Sequence, residues 1–251
     1  MSNKVCFIIA HKYYRGHHSF LKYYLENIQK IYPEALTIVV DNNSKYPEDV
    51  FSSLRDLPNV VFLSNNYEGK FELGAYKVGA QYVIDNGLID QYSYFVCTQD
   101  NFILKNFFDF DSLTTKQTYA LPINSMFADK YAMDVCNRVL DKLGLNDNWD
   151  KVNFCWCSSF IVASSKLRQL HDYLSTIVQK VRYESEAAER YLARILWELN
   201  ERRDCGSVDG DCRDLVNNKF YDCWHIDLYA PVNTYFAKRV QQKNEHTRDA
   251  E

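Results

Sequence analysis

Short apolar runs alternate with amphipathic segments through the first hundred residues. The apolar runs predict strands at 4–10, 36–40, 60–63 and 94–98. The segments between them predict helices at 19–31, 47–54 and 71–84, with Ser19 as an N-cap and Asn86-Gly87 as a stop signal. Because strands and helices alternate, the pattern predicts an α/β fold with a mostly parallel sheet flanked by helices.

Polar residues follow three of these strands, at His11, Asp41 and Asp100. The carboxyl ends of parallel strands share one edge of a sheet, where nucleotide-type ligands bind in open α/β folds. The change from apolar to polar residues is most abrupt after the strand at 94–98, because the apolar run from Tyr94 stops at Thr98-Gln99-Asp100 and resumes at Phe102. Asp100 is therefore the first candidate for a ligand or metal contact. An ordinary strand-ending turn with a solvated Asp is the alternative.

The second half of the chain has a different order of elements. The pattern predicts strands at 118–122, 154–163 and 219–229, and helices at 129–143, 166–181 and 185–203. Ser185 is the expected N-cap of the last helix. Cys157-Ser158-Ser159 interrupts the apolar run that ends at Ala163. No repeat or linker divides the chain, so we expect a single domain over 1–240 and a polar tail over 241–251.

Charge and composition narrow the function classes. The net charge of -4 argues against a nucleic-acid partner, and an anionic ligand would need a local cation or a helix N-terminus. No apolar run approaches the roughly 20 residues of a membrane span. The apolar stretch before His11-Lys12 is too short for a signal peptide, so we expect a cytoplasmic protein with its eight cysteines reduced. A zinc site at the later cysteines and His225 lacks the usual C-x2-C spacing.

Four segments together resemble the nucleotide-sugar-dependent glycosyltransferases of the GT-A fold, of the family 2-like and bacterial rhamnan-synthesis types. The segments are Val39-Val-Asp-Asn-Asn-Ser44, Glu72-Leu-Gly-Ala-Tyr-Lys-Val-Gly-Ala80, Thr98-Gln-Asp100 and Cys157-Ser-Ser-Phe-Ile-Val162. The resemblance runs over about residues 4 to 230. It implies a GT-A-like, Rossmann-like sheet in a single domain, with a nucleotide-binding half at 1–104 and an acceptor-binding half at 105–240.

The resemblance also implies a donor site and a metal. The donor would be a UDP- or GDP-type sugar, and the acceptor a glycan or another hydroxyl, as in polysaccharide biosynthesis. The Thr98-Gln99-Asp100 segment stands where the family has its D-x-D motif, so all three residues are expected to border the nucleotide sugar. Thr98 replaces the first acid, and its hydroxyl would hydrogen-bond the ribose or a metal-bound water. Mn²⁺ or Mg²⁺ would take Asp100 as a carboxylate ligand and a late histidine, His225, as a second. The remaining implied contacts are Asp41 for the nucleotide base and Glu72 and Gly74 beside the sugar. The alternative for Asp41 is that it only hydrogen-bonds the backbone of its own turn. His11, directly after the first strand, would either contact a phosphate or cap its loop.

An inverting enzyme of this kind needs a base for the acceptor hydroxyl, and a carboxylate in a desolvated cleft suits that task. Glu189 and Glu186 are the candidates, since the resemblance places an acidic catalytic motif at the start of this helix. Glu189 lies on the apolar stripe with Leu192, and Glu186 is one turn earlier. The alternative is that both acids only favour a helix N-terminus through the helix dipole.

Two other functions stay open. A nucleotidyltransferase on a related sheet would need a glycine-rich phosphate loop after the first strand, and that segment holds only Gly16. A non-catalytic protein that binds a nucleotide sugar or a carbohydrate is the second alternative, which the loss of an acid at Thr98 favours.

Overall fold

The computed structural model describes residues 4–12, 21–45, 51–100, 102–104, 107–113, 118–123, 130–145, 154–201, 206–207 and 236–238. Strands and helices alternate in its first hundred residues, as the sequence predicts. The predicted fold class is confirmed as α/β, with a mostly parallel, Rossmann-like sheet flanked by helices. None of the helices in these segments is long and apolar enough to cross a membrane.

The strands, in chain order, are β1 (Val5–His11), β2 (Leu36–Asp41), β3 (Val60–Ser64), β4 (Tyr94–Gln99), β5 (Phe102–Leu104), β6 (Thr118–Ile123), β7 (Phe154–Ala163), β8 (Gly206–Ser207) and β9 (Phe236–Lys238). The helices are α1 (Leu21–Ile31), α2 (Phe71–Asp85), α3 (Lys130–Leu143), α4 (Ser164–Ser175) and α5 (Arg182–Leu199). One-turn 3₁₀ helices lie at Ile89–Gln91 and Phe110–Ser112.

The main sheet has the strand order β3-β2-β1-β4-β7-β6-β8, and β5 pairs with β9 in a small second sheet. β1 is parallel to both β2 and β4, and β7 is antiparallel to both of its neighbours. The chain therefore proceeds from β1 outward through β2 and β3, then returns to place β4 on the other side of β1. The junction of β1 and β4 is the point where strand order reverses, which is where ligands bind in open α/β sheets.

Each face of the sheet is covered by its own apolar cluster. Strand side chains alternate between faces, so Cys6 and Ile8 of β1 pack with α2, while Phe7 and Ile9 pack with α1. We call these the α2 face and the α1 face. α5 lies on the α2 face against β6 and β7 and also packs on α3 and α4. Full burial of each large aliphatic side chain stabilises the fold by roughly 1.5–3 kcal/mol.

The bounds of two helices, α4 and α5, differ from the sequence prediction, and α5 also ends at Leu199 rather than near 203. α4 ends at Ser175 rather than near 181, because the chain turns there. The segment that follows contacts α2 through the buried Gln179, whose side-chain oxygen accepts from the N–H of Leu73. α5 begins at Arg182, so Ser185 lies inside the helix and the prediction of an N-cap there is wrong. The cap role passes to Glu184, whose carboxylate accepts hydrogen bonds from the backbone N–H groups of Lys180 and Val181.

Three short strands, β5, β8 and β9, have no signal in the sequence pattern. Their two or three residues are too few to show a period. The predicted strand at 219–229, the N-cap Ser19 and the first half of the predicted helix at 47–54 lie outside the described residues, and in the second half only Phe51 is helical.

Candidate functional site

Three polar residues stand together at the carboxyl edge of the sheet. His11 ends β1 and is paired with Asp41, which ends β2. Asp100 follows β4, and its backbone N–H donates to the carbonyl of Ala10 over 3.0 Å. Alternation along the strands assigns all three side chains to the α1 face. The structure thus brings together the residues that the strand pattern predicts at one edge.

His11 and Asp100 form a hydrogen-bonded pair across the junction of β1 and β4. His11 Nδ1 lies 2.6 Å from Asp100 Oδ2, and since a carboxylate only accepts, Nδ1 carries the proton. The imidazole is buried and contacts the ring of Phe51, with centroids 5.7 Å apart, whereas the Asp100 side chain is 21% exposed. Within the described chain, His11 Nε2 has no hydrogen-bond partner. The pair therefore fixes the histidine tautomer and leaves part of the carboxylate at the surface.

Asp41 is buried at the end of β2, and its side chain bonds to the turn that follows. Its Oδ2 accepts from the backbone N–H of Ser44 over 2.9 Å, and its Oδ1 accepts from the Ser44 hydroxyl. Asn43, inside this turn, has φ of 56°. Aspartate often hydrogen-bonds the backbone of its own turn in this way. Asp41 thus shapes the loop beside His11, and its expected contact with a nucleotide base stays a prediction.

Thr98 does not reach the accessible edge. It is completely buried on the α1 face, where its hydroxyl lies 2.9 Å from the hydroxyl of Tyr24 in α1. Burial also raises the pKa of Tyr24 well above its usual range. Thr98 therefore packs α1 onto β4, and we leave it out of the proposed ligand contacts.

A second row of polar side chains lies on the α2 face of the same edge. Gln99 at the end of β4 donates from Nε2 to Glu72 Oε1 over 2.8 Å. Ser185 of α5 donates from Oγ to Glu72 Oε2 over 2.7 Å. All three side chains are partly buried. The carboxylate of Glu72 is thus held between a strand end and a helix that lie far apart in the sequence.

The loop that leads into α2 is tightly packed, and Gly74 is required for it. A Cβ atom at Gly74 would overlap the carbonyl oxygen of Gly69 and lie 2.8 Å from Asn65 Nδ2. Asn65 itself donates to that carbonyl and to the Asn42 side chain. The close approach at Gly74 therefore comes from a neighbouring segment of the protein itself.

The same loop is fixed to the segment that precedes α5. The N–H of Lys70 donates to the backbone carbonyl of Gln179, and the N–H of Leu73 donates to its side-chain oxygen. Phe71 adopts φ of 71°, a left-handed conformation that costs about 1–3 kcal/mol in a non-glycine residue. The left-handed Phe71 and these hydrogen bonds fix the position of Glu72 at the edge of the sheet.

The strand pair β4–β7 separates beside this row. Its last paired residues are Cys97 and Phe160, so Gln99 and Asp100 extend beyond the ladder. β7 is irregular at this point, with φ of 53° at the buried Ser158, whose hydroxyl has no hydrogen-bond partner among the described residues. Irregular strands often border binding sites. Here the end of β4 is not paired with β7 beyond Cys97.

The acids expected to serve as a base are placed differently from each other. Glu186 is exposed and pairs with Arg182 over 3.0 Å, one turn away on the helix surface. Glu189 is partly buried, one turn after Ser185 on the same side of α5. Glu189 therefore lies on the side of α5 that carries Ser185, Glu186 lies on its exposed side, and the role of either as a base stays a prediction. His225 lies outside the described residues.

No protein-family model matches this sequence, and no curated protein matches it at a significant level.

The edge is acidic, and this restricts what it can bind. Glu72 and Asp100 present partly buried carboxylates on opposite faces of β4, and Asp41 adds a buried one. A diphosphate would be repelled unless a cation came with it. The described residues hold no group of three or more histidine, cysteine or acidic side chains that would form a complete metal site. Mg²⁺ commonly takes only one or two protein carboxylates and completes its shell with substrate phosphates. A single carboxylate, Asp100, is therefore compatible with Mg²⁺ binding.

Sequence reasoning missed the residues that support the site. The sequence pattern predicts Ser185 as an N-cap and gives Tyr24 no role at the site, yet Ser185 hydrogen-bonds Glu72 at the start of α2 and Tyr24 hydrogen-bonds Thr98 near the end of β4. Only the short spacing of Ser185 to the acids of α5 pointed to that region. Neither contact has a local sequence signal, since the partners are 113 and 74 positions away.

Proposed function

We propose that this protein is a metal-assisted glycosyltransferase of the GT-A fold that uses a nucleotide-diphosphate sugar as donor. The observation that carries the proposal is the His11–Asp100 pair at the junction of β1 and β4. It presents a partly exposed carboxylate, held by a buried imidazole, where open α/β sheets bind nucleotides. The resemblance of the Thr98-Gln99-Asp100 segment to the D-x-D motif supports the same conclusion.

Different residues of the edge contact different parts of the donor. Asp100, oriented by His11, faces the diphosphate and its counter-ion, and the turn at Asp41 borders the nucleoside. Glu72 on the opposite face of β4 accepts hydrogen bonds from sugar hydroxyls. Transfer breaks the bond between the anomeric carbon and the phosphate oxygen and joins that carbon to an acceptor oxygen. In an inverting reaction the acceptor proton passes to a carboxylate, for which Glu189 is placed better than Glu186.

The acidity of the edge supports the participation of Mn²⁺ or Mg²⁺. Asp100 would hold the cation together with the donor phosphates, and His11 would act through the carboxylate as an orienting partner. When bound, the cation supplies a Lewis acid that stabilises the charge of the departing nucleoside diphosphate. His225 remains the proposed second protein ligand.

Release of nucleoside diphosphate from a panel of UDP- and GDP-linked hexoses, with and without Mn²⁺, tests this function. We expect slow hydrolysis by the wild type that EDTA abolishes and that Asp100→Asn lowers by at least about a hundredfold. Asp90→Asn is the matched control, because Asp90 is exposed and precedes β4, away from the carboxyl edge. Absence of both turnover and nucleotide binding across the panel would rule the function out.

A non-catalytic nucleotide-sugar-binding protein is the second candidate. The observation that favours it is the burial of Thr98 against Tyr24, which leaves this position unable to replace the missing acid. Calorimetry separates the two functions. Donor binding that is equally tight in EDTA and in Mn²⁺, without turnover of any acceptor or water, would favour the binding protein.

A further inference from the structure

The carboxylate of Glu72 is held by two donors from separate parts of the chain. Gln99 Nε2 lies 2.8 Å from Oε1, and Ser185 Oγ lies 2.7 Å from Oε2. Gln99 belongs to the candidate site, whereas Ser185 comes from α5 in the second half of the protein. Each carboxylate oxygen therefore has its own donor, and the plane of the group is fixed.

This arrangement suits recognition of a hydroxyl group. An ionised carboxylate only accepts hydrogen bonds, and its two oxygens together offer about four lone-pair sites. Its negative charge repels phosphate, so its ligand is the neutral, hydroxyl-bearing part of a donor.

The hydrogen bond from Ser185 reduces the number of rotamers that the Glu72 side chain adopts before a ligand binds. A free glutamate side chain has several rotamers, and a ligand that selects one of them binds less tightly. A side chain already held in its bound orientation avoids that loss. The backbone carbonyl of Gln179 accepts from the N–H of Lys70, and its side-chain oxygen accepts from the N–H of Leu73. These two bonds hold the start of α2 close to the segment before α5, which keeps the Ser185–Glu72 distance short.

We propose that Ser185 is a positioning residue that fixes the Glu72 carboxylate for recognition of sugar hydroxyls. This inference rests on the proposed function, because it names the part of the donor that Glu72 binds. Ser185 acts through Glu72 and does not touch the ligand itself. The second half of the chain thereby tunes donor selection in the first half.

Binding of two probes by calorimetry with Mn²⁺ tests the inference. The probes are UDP and the UDP-linked hexose that the wild type binds best. We expect Ser185→Ala to weaken binding of the UDP-hexose by about threefold to tenfold and to leave the affinity for UDP unchanged. Glu72→Gln should give the same pattern more strongly. Ser185→Thr retains the hydroxyl and should bind both probes as the wild type does.

A double-mutant cycle separates positioning from independent effects. In the Glu72→Gln background, Ser185→Ala should have a smaller effect than alone, because its partner has lost the charge that it orients. Ser175→Ala is the matched control, since its hydroxyl contacts only His171 at 3.5 Å among the bonds seen at the end of α4.

The outcomes are distinguishable. Equal weakening of UDP and UDP-hexose binding by Ser185→Ala would indicate a general structural role and overturn the inference, as would no change for either probe. A fully additive cycle would also overturn it. If the wild type binds neither UDP- nor GDP-linked sugars, the proposed function itself fails and this inference fails with it.

Discussion

His11 and Asp100 join the ends of two neighbouring parallel strands through a 2.6 Å hydrogen bond. The imidazole is buried against Phe51, and the carboxylate is mostly buried with one part at the surface. Since β1 and β4 meet where the strand order reverses, this contact fixes the geometry of the edge at which a ligand is expected.

The energetic coupling of this pair can be measured by urea denaturation. We expect Asp100→Ala to destabilise the fold by about 1–3 kcal/mol, because it leaves a buried His11 nitrogen without its partner. In the His11→Ala background, the same change should cost less than about 0.5 kcal/mol. Asp90→Ala, at an exposed site, should change stability by no more than about 0.5 kcal/mol. Additive effects of the two substitutions would show that the pair is not coupled.

Restoring the first acid of the D-x-D pattern should fail. Thr98→Asp puts a carboxylate at a completely buried position beside the Tyr24 hydroxyl. We expect a loss of about 3 kcal/mol or more in stability, since an uncompensated buried charge is costly. Mn²⁺ affinity, measured by calorimetry, should not increase. Thr98→Val, which removes only the hydroxyl, should cost about 1–3 kcal/mol. Tighter Mn²⁺ binding by a stably folded Thr98→Asp variant would show that residue 98 does reach the edge.

The close approach at Gly74 makes an alanine there costly. Its Cβ would overlap the Gly69 carbonyl. Gly69 cannot move away easily, because the next residue, Lys70, is hydrogen-bonded to the Gln179 carbonyl. We expect Gly74→Ala to destabilise the fold by about 1–3 kcal/mol despite the better helix propensity of alanine. Gln81→Ala, later in α2, should cost less than about 0.5 kcal/mol. Denaturant midpoints of the two variants provide the comparison, and an equal or higher midpoint for Gly74→Ala would contradict the packing described.

Stability should fall in alkaline solution as the buried thiols ionise. Burial raises the pKa of Cys136 from its usual value of 9.0 to about 12. Between these values the unfolded chain loses the thiol proton while the folded chain retains it, so rising pH favours unfolding. The contribution of this thiol should decrease stability by up to about 1.4 kcal/mol per pH unit above pH 9.

Urea midpoints recorded at pH 7, 9 and 10.5 test this dependence. Cys136→Ala should flatten the decline above pH 9 relative to the wild type, although it lowers stability at pH 7 through the small cavity it leaves. The pKa values of Cys6 and Cys97 are also raised by burial, so part of the decline should remain. An identical slope in the variant would show that Cys136 does not contribute.

Much of the parallel half of the fold could be predicted from local patterns. The runs at β1, β2 and β4 are apolar because both faces of these strands are covered, and their ends are marked by His11, Asp41 and the residues up to Asp100. These signals lie within a few residues of one another. The prediction that the three polar ends share one edge follows from strand direction alone.

The side chains that complete the edge could not be predicted in that way. Thr98 and Asp100 lie on one face and Gln99 on the other, but only the packing of α1 shows that Thr98 is covered by Tyr24. The sequence resemblance gave Thr98 a place beside the ligand, and the tertiary structure gives it a place in the core.

By itself, the sequence determined the alternation of strands and helices, the polar strand ends and the acidic character of the edge, because periodicity and charge are local properties. Only the tertiary structure decided that His11 holds Asp100 and that Ser185 holds Glu72. The partners in these two contacts are 89 and 113 positions apart. Such contacts form when helices pack on opposite faces of the sheet, and packing depends on the shapes of all the elements together.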